Sequence, residues 1–390
     1  MILQTLCYDN ENEAKGKDNI MDSLNKLYVE ITNLCNLKCQ MCIQRAWDVP
    51  TGHMSLATFS RLMAQIGEFP TPPTIHLGGY GEPMFHPDFL DIVRQAKATG
   101  ARVEITTNAT LLTADKAEAL LDLGLDRLVV SIDGVTSESY AHIRVNGNLQ
   151  KTLNNLRHLY RRKLQRVGRH GNPRVEIAFV AMKSNVGDLQ ELPRLATRIG
   201  AWQVRVSNVV PHTPEMESEI LYERSLTACT YRASRWAIDV SLPKLDWDEY
   251  SLPAMGSLST SRASLTLLNR SLSERNDYCQ FVQQAYAAVR WDGEVSPCLS
   301  LLHNHPEYIR GRRKDVMHYG LGNIQQQTLR DIWEASEYVD FRARLRDFPY
   351  SPCTTCGGCE RFPKNLEDCS ENSFPTCGGC LWAQGFIECP

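Results

Sequence analysis

The sequence predicts an α/β fold built around a parallel sheet, and two observations support this. Between about residues 26 and 211, six apolar strand-like runs alternate with amphipathic helical patterns. Strands that alternate with helices form right-handed βαβ units, which assemble into parallel sheets. Polar or glycine-rich segments follow most of these runs, and ligand sites in parallel sheets gather at the carboxyl ends of the strands. Six such units fit an open three-quarter barrel as well as a doubly wound sheet.

Each element follows from local signals. We expect a helix where apolar residues recur every three or four positions, and a strand where turn residues bound a short apolar run. Thr113 is an expected helix N-cap, and Gly100, Gly124 and Gly200 are expected helix ends. The predicted strands lie at 27–32, 74–79, 102–108, 127–133, 174–182 and 202–210. The predicted helices lie at 55–69, 86–100, 113–124, 149–165 and 188–200.

The pattern divides the chain into four regions. These are a polar N-terminal arm at 1–22, a partial barrel at 23–240, a bridging segment at 241–278 and a cysteine-rich domain at 279–390.

Three further elements are expected after the last predicted strand. Residues 212–240 have a helical pattern, and residues 328–347 have another. The run AAVRWDGEVSPC predicts a hairpin whose turn is Asp292-Gly293.

The composition excludes several classes of protein. Hydrophobic residues make up 43% of the 390 residues, as in ordinary globular proteins. A net charge of −3 gives no reason to expect binding to nucleic acid or to anionic membranes. The chain lacks a run of about 18 apolar residues, and its N-terminus does not have the pattern of a signal peptide. We therefore predict a cytoplasmic protein with no nucleic-acid or membrane partner.

Fourteen cysteines are many for such a chain, and most of them are clustered. Disulfide frameworks are typical of small exported proteins, whereas C-x2-C pairs in a reducing cytoplasm are more typical of metal ligands. Cys7 and Cys229 stand apart from the clusters and are interpreted as unligated thiols.

The most informative cluster is the run CNLKCQMC, which contains Cys35, Cys39 and Cys42 and follows the first predicted strand. Three thiolates can hold three irons of a cubane iron–sulfur cluster and leave the fourth iron open to another ligand. The alternative is a structural zinc site, but such sites usually take four protein ligands, and this loop lacks a fourth Cys or His.

The segment GGYGEP follows the second predicted strand and ends in Glu82 and Pro83. Glycines at this position allow close approach to the backbone. Free backbone groups and the Glu82 carboxylate would suit a ligand ammonium group. The alternative is a tight surface turn.

Together, the C-x3-C-x2-C run and the glycine-rich segment resemble the radical S-adenosylmethionine enzymes over about residues 26–211. The resemblance implies a partial (β/α)6 barrel and a [4Fe-4S] cluster on Cys35, Cys39 and Cys42. The amino and carboxylate groups of S-adenosylmethionine would chelate the open iron. Reductive cleavage of this cofactor would then give a 5′-deoxyadenosyl radical that abstracts a substrate hydrogen.

The same resemblance implies contacts to the methionine part of the cofactor. Gly78, Gly79 and Glu82 would hold its amino group. Met41 departs from the family, in which this position is commonly aromatic, but a methionine can still pack on the adenine ring.

Further contacts are implied at later strand ends. Ser131 or Asp133 would contact the ribose, and Arg144 would pair with the cofactor carboxylate. Asp133 could instead be only part of a turn, and Arg144 a residue on a helix surface. Asn108 and Asn208 fit a binding role and a cap or turn role equally well.

The C-terminal cysteines form the third constellation. Cys279 and Cys298 bracket the predicted hairpin in a pattern similar to the opening of the SPASM extension. This resemblance implies one or two auxiliary [4Fe-4S] clusters, and zinc is the alternative. The nine cysteines exceed the eight that two clusters need, and their spacing does not divide them between clusters. The candidate ligands are Cys279, Cys298, Cys353, Cys356, Cys359, Cys369, Cys377, Cys380 and Cys389.

Two other features have a simpler interpretation. His303 and His305 are expected to lie in a solvated loop. The basic run IRGRRK is expected to form a solvated face, although it would also suit an anionic pterin phosphate.

The segments RVSNVVPHTPEMESEILYE and PTCGGCLWAQGFIECP are similar to radical enzymes that modify the cofactor of tungsten-containing aldehyde oxidoreductases. This implies a role in the maturation of a tungstopterin enzyme or its cofactor. The implied partners are a ferredoxin-type or flavodoxin-type electron donor and a tungsten-containing oxidoreductase or its pterin. The alternatives are a maturase of peptides or proteins, and an iron–sulfur electron carrier without catalysis.

Overall fold

The computed structural model describes residues 23–228, 238–243, 245–246, 248–259, 264–267, 270–271, 278–356 and 358–389. The predicted N-terminal arm, Cys7 and Cys229 lie outside these residues.

The first six strands of the chain lie side by side in the main sheet in chain order, and all of them are parallel. This order lacks the reversal point of a doubly wound sheet. The open-barrel alternative is therefore confirmed, as a partial (β/α)6 barrel. The strands are β1 (Lys26–Val29), β2 (Thr74–Leu77), β3 (Val103–Thr107), β4 (Arg127–Ser131), β5 (Arg174–Ala181) and β6 (Ala201–Asn208).

Helices cross between these strands, five of them at the predicted positions, and α4 (Ser137–Ile143) is a further helix that was not predicted. The Ser55 and Thr113 side chains cap two of them by accepting hydrogen bonds from Thr58 N and Lys116 N. Gly200 ends another in the left-handed conformation, with φ of 69°. The helices are α1 (Leu56–Ile66), α2 (Phe89–Ala98), α3 (Ala114–Asp122), α4 (Ser137–Ile143), α5 (Leu149–Val167) and α6 (Leu192–Ile199).

The helix predicted over 212–240 is wrong over much of 212–228, and residues 229–237 lie outside the described part of the chain. Single turns form at α7 (Pro214–Glu217) and α8 (Ser225–Ala228), and strand β7 begins at Asp239. Tertiary contacts override the local pattern between the two turns, where the Tyr222 hydroxyl donates to Val209 O (2.8 Å). The bridging segment adds β7 (Asp239–Leu242), α9 (Leu252–Ser259), β8 (Ser264–Leu267) and β9 (Arg270–Ser271), and its strands form a separate three-stranded sheet.

The C-terminal region continues the main sheet. Strand β10 pairs in parallel with β1, and the predicted hairpin joins β10 to β11. The sheet order is β14-β11-β10-β1-β2-β3-β4-β5-β6, so β14 and β6 remain as separate edges. The C-terminal elements are α10 (Gln280–Gln283), β10 (Tyr286–Val289), β11 (Glu294–Ser296), β12 (His305–Ile309), β13 (Arg312–Val316), β14 (Gly322–Asn323), α11 (Leu329–Glu334) and α12 (Ser336–Asp347).

The two faces of the parallel strands differ in polarity. Outward residues such as Leu27 and Ile75 are buried among the helices. Successive side chains alternate across a strand, so their neighbours Lys26, Tyr28 and His76 point into the barrel. The interior of the barrel is therefore polar.

Residues 386–389 lie across the open side of the barrel. Asn208 Nδ2 at the end of β6 donates to Phe386 O (2.9 Å), and Glu388 N donates to Ser207 Oγ (3.0 Å). Cys389 packs in the same apolar cluster as Tyr28 of β1. This tail thus connects the β6 edge of the sheet with the interior side of β1. Among the described helices, none is long and apolar enough to cross a membrane.

Candidate functional site

The loop that carries Cys35, Cys39 and Cys42 follows β1 and is half-buried. Two backbone hydrogen bonds fix it against the end of α4: Lys38 N donates to Val145 O (3.0 Å), and Gln40 N donates to Ile143 O (2.9 Å). These bonds set the cysteines directly beside the segment that contains Arg144.

The three thiols resist ionisation in the absence of a cation. Burial raises the pKa of Cys35 to about 11 and that of Cys42 to about 12, and it also raises the pKa of Cys39. The charge of one thiolate opposes the ionisation of the next. Metal binding at such a site must therefore release protons.

The donor set fits an iron–sulfur cluster. A four-iron cluster takes one thiolate on each iron, so it needs separate thiolates rather than ligands around one ion. Within the described residues, no group of three or more His, Cys, Asp or Glu side chains surrounds the position of a single metal ion.

Close packing explains the glycines of the GGYGEP segment. A Cβ on Gly81 would lie 2.2 Å from Thr32 O, and one on Gly79 would lie 2.9 Å from Glu30 Cβ. A Cβ on Gly78 would lie 3.1 Å from the His76 ring. The segment thus packs against the chain that leads into the cysteine loop, although Gly79 itself is exposed.

The Glu82 carboxylate is 2% exposed and is held at the end of β3. It accepts hydrogen bonds from Thr107 Oγ1 (2.6 Å), Asn108 N (2.7 Å) and Met84 N (3.1 Å). Burial raises its pKa, although these hydrogen bonds act in the opposite direction. Asn108 Nδ2 in turn lies 3.9 Å from Cys35 Sγ, which places Glu82 close to the cysteine loop.

Arg144 lies on the other side of this loop. It is 7% exposed, so the alternative of a surface helix residue is wrong. Its Nη2 pairs with Asp133 Oδ2 at 2.6 Å, and its Nη1 lies 3.8 Å from Cys39 Sγ. Its Nε is buried without a hydrogen-bond partner. A buried guanidinium with an unused donor fits an anionic ligand group.

Asp133 and Ser131 differ in what they can offer a ligand. Asp133 is fully buried, and its Oδ1 accepts a hydrogen bond from Val180 N (2.7 Å) while Oδ2 faces Arg144. It is therefore more than a turn residue. Ser131 ends β4 and is partly exposed.

The sequence did not indicate a second group beside the glycine segment. His303 Nε2 lies 2.8 Å from the carboxylate of Glu30, which also accepts a hydrogen bond from Tyr80 N (3.2 Å). The Trp47 ring packs on both His303 and Tyr80. The inward direction of Glu30, two residues after Tyr28, was the one signal available from the sequence.

The expectation of a solvated loop at His303 and His305 is wrong. The two residues are 3% and 4% exposed. His305 hydrogen bonds to His303 O (2.9 Å) and lies 3.5 Å from Glu307 Oε1. Burial opposes the ionisation of Glu307, but this hydrogen bond and the charge of Lys314 hold its pKa below the usual value.

The C-terminal cysteines separate into two groups and one remaining thiol. Four of them line a single cavity, and burial raises the pKa of each. We call them the inner group: Cys279, Cys298, Cys377 and Cys380.

The outer group is Cys353, Cys356, Cys359 and Cys369, and it reaches the surface. Burial raises the pKa of Cys353 to about 11, and the charges of Cys356 and Cys369 act in the same direction. Cys356 and Cys369 are exposed. Cys389 does not line the cavity of the inner group, although it packs in one apolar cluster with Tyr28, Cys279 and Cys298.

Comparison with known proteins finds two matching families. Residues 29–173 match the Radical SAM superfamily, and residues 279–360 match SPASM, an iron-sulfur cluster-binding domain. The tungsten-containing aldehyde ferredoxin oxidoreductase cofactor-modifying protein of Pyrococcus furiosus is 32% identical over 376 residues, which are 93% of this chain and 96% of that protein. The AdoMet-dependent heme synthase of Methanosarcina barkeri is 27% identical over 90% of this chain and 93% of its own length.

Solved structures show the same fold. The native anSMEcpe structure with bound AdoMet has a TM-score of 0.56 and 16% identity, with 93% of this chain and 96% of that chain covered. Streptococcus suis SuiB bound to S-adenosylmethionine has a TM-score of 0.55 and 16% identity, with 89% and 73% covered. The chain therefore belongs to the radical SAM superfamily, as an enzyme that uses S-adenosylmethionine and iron–sulfur clusters and carries a SPASM domain.

Proposed function

We propose that the enzyme takes part in the maturation of a tungsten-containing oxidoreductase or its pterin cofactor. The observation that carries this proposal is the similarity to the Pyrococcus furiosus protein, which extends over the barrel and the cysteine-rich region alike. A low-potential donor of the ferredoxin or flavodoxin type would supply the electrons.

In this proposal, Cys35, Cys39 and Cys42 hold a [4Fe-4S] cluster with one iron open to S-adenosylmethionine. Reductive cleavage of the bound cofactor supplies a 5′-deoxyadenosyl radical. The half-buried loop and its three separate thiols support this assignment.

The surrounding residues would bind the two ends of the methionine group. Glu82, with Gly78 and Gly79, would hold the ammonium, since the carboxylate lies beside the loop in a buried position. Arg144 would bind the carboxylate, and its unpartnered Nε supports this role. Asp133 would hold the arginine in place.

Ser131 would then be the better candidate for the ribose contact. Its side chain is partly exposed at the end of β4, whereas that of Asp133 is fully buried.

The inner and outer groups would each hold an auxiliary [4Fe-4S] cluster with four cysteine ligands. Cys389 would then be the ninth cysteine, outside both clusters. The cavity shared by the inner group and the mutual proximity of three outer cysteines support this division.

A cleavage assay tests the radical site. The anaerobically reconstituted protein should convert S-adenosylmethionine to 5′-deoxyadenosine under dithionite. Replacing Cys35, Cys39 and Cys42 with Ala should abolish this cleavage and remove about four irons, while the C-terminal irons remain.

Arg144→Gln should weaken S-adenosylmethionine binding about tenfold or more, as expected for the loss of a charged hydrogen bond. Arg161→Gln, at an exposed position on α5, is the matched control.

A second assay tests the substrate. Isolated tungstopterin cofactor, or the oxidoreductase that carries it, should accelerate the formation of 5′-deoxyadenosine and change in mass. Acceleration by a peptide alone would instead support a peptide maturase. Complete absence of cleavage, with iron present, would leave the electron-carrier alternative.

A further inference from the structure

The hairpin formed by β12 and β13 carries a buried pair of opposite charges. Glu307 and Lys314 lie directly opposite each other in the strand register. They are 1% and 5% exposed. Both line the cavity of the inner group.

Lys314 lies where the two cysteine groups meet. Its Nζ donates a hydrogen bond to Gly379 O (3.0 Å), and Gly379 lies between Cys377 and Cys380 of the inner group. A Cβ on Gly379 would lie 2.8 Å from Lys314 Nζ and 3.3 Å from Cys353 Cβ. One ammonium group therefore adjoins an inner segment and an outer cysteine.

Glu307 lies near the inner group. Its Oε1 faces His305, whereas its Oε2 is buried without a hydrogen-bond partner. Its charge acts on Cys380 of the inner group. The charge of Lys314, by contrast, also acts on Cys353 of the outer group.

We propose that Lys314 and Glu307 set the reduction potentials of the auxiliary clusters with opposite signs. Lys314 raises the potentials of both clusters, and Glu307 lowers the potential of the inner cluster alone. This inference rests on the proposed loading of both cysteine groups with clusters. The two residues act through their charges on the clusters and take no part in bond breaking.

Nearby charges change a reduction potential because reduction adds negative charge to the cluster. A reduced cluster carries one more electron than an oxidised one, and nearby fixed charges decide how strongly that electron is held. Buried charges interact more strongly than exposed ones because water screens them less.

The test is an anaerobic redox titration of the full-length, reconstituted protein, followed by electron paramagnetic resonance. Lys314→Met should shift the midpoint potentials of both auxiliary clusters to more negative values. Glu307→Gln should shift the inner cluster alone to a more positive value. Lys314→Arg keeps the charge and should restore most of the original potentials.

Arg313→Met is the matched control. Arg313 is the preceding residue of the same strand, but its side chain is 60% exposed and pairs with Asp315 at the surface. Its loss should leave both potentials unchanged, although the net charge changes by the same amount.

The signs of the shifts in midpoint potential distinguish an electrostatic role from a structural one. A purely structural role would reduce iron content without shifts of opposite sign. Equal potentials in the Lys314→Met and unaltered proteins, with both clusters present by iron analysis, would overturn the inference. If Lys314→Met loses a cluster, a shift of Glu307→Gln that is absent or negative would overturn it. Absence of auxiliary clusters from the unaltered protein would instead refute the proposed loading.

Discussion

Gly81 has backbone atoms on the side where any other residue would carry a Cβ. Thr32 O and Leu34 O both lie within 2.8 Å of that position. These are main-chain atoms of the segment that leads to Cys35, so they cannot rotate away as a side chain could. The glycine thus allows the two loops of the site to touch.

Gly81→Ala should therefore disturb the site as well as the fold. We expect a loss of about 1–3 kcal/mol in the free energy of unfolding, as for overpacked positions, and weaker S-adenosylmethionine binding. Gly187→Ala is the control, because a Cβ there meets nothing within 4 Å. Thermal unfolding and equilibrium binding measure the two effects. Equal stability of the two variants would contradict the close contact.

Spacing along the chain predicted some residues of the site and not others. Cys35, Cys39 and Cys42 were predictable because eight consecutive residues carry the whole signal. The Glu30–His303 pair was not, since its members are 273 residues apart. The sequence around His303 therefore predicted a solvated loop, because it does not show the buried contact with Glu30.

A ladder of charges crosses the interior of the barrel. Glu104 of β3 pairs with Lys26 of β1 (3.0 Å) and Arg127 of β4 (3.4 Å). Arg127 pairs in turn with Glu176 of β5 (2.5 Å), which also pairs with Arg205 of β6 (2.9 Å). Buried charges are tolerated only when they are paired, so the ladder depends on each member.

Glu104→Gln should cost about 3–5 kcal/mol of unfolding free energy, because it removes the buried carboxylate that pairs with Lys26 and with Arg127. Burial would raise the pKa of Glu104, but the His76 hydrogen bond and the Lys26 and Arg127 charges hold it well below the usual value. A carboxylate with a lowered folded-state pKa stabilises above its unfolded pKa of about 4.3, and this is lost as the pH falls.

The stability difference between the two proteins should therefore shrink in denaturant titrations below about pH 4. Glu334→Gln, which removes an exposed partner of Arg330, is the control and should change little. A constant difference at all pH values would argue against the ladder.

Elements were predicted best where local periodicity and tertiary packing agree. The strand at 174–182 and the helix at 149–165 match β5 and α5 closely. The helix expected over 212–240 failed within the described residues 212–228, because the contacts of Tyr222 outweigh the local pattern there. The choice between barrel and doubly wound sheet needed the strand order, which periodicity does not contain.

At the scale of the whole molecule, the barrel and the C-terminal region share one sheet and one core. Gln65 of α1 bonds to both Ile324 O (3.3 Å) and Leu329 N (2.9 Å), at the start of α11. Trp333 of α11 is 1% exposed in the same apolar cluster as Leu27 of β1. We therefore expect the two regions to unfold together.

Trp333→Ala should cost about 3–5 kcal/mol and reduce hydrogen-exchange protection in β1 and α1 as well as in β10. The matched control is Phe362→Ala, since Phe362 belongs to a separate apolar cluster with Leu381. That change should leave the protection of β1 unaltered. Loss of protection confined to β10 in the Trp333 variant would contradict a shared core.

The sequence predicted a cysteine-rich region but gave no sign that it continues the barrel sheet. Strand β10 is four residues long, and nothing in YAAV specifies β1 as its neighbour. Pairing between such distant segments depends on the assembled fold.

The pairing of β1 with β10 also has a consequence for how the protein is made. Lys26 of β1 pairs with Tyr286 of β10, which is synthesised about 260 residues later. Until then, β1 has no neighbouring strand on the side that β10 will occupy. A nascent barrel therefore leaves the ribosome with an open strand edge, which invites aggregation. Contacts between such distant residues also slow folding. Successful production of this enzyme should depend on slow synthesis or chaperones, and fragments that stop before β10 should be insoluble.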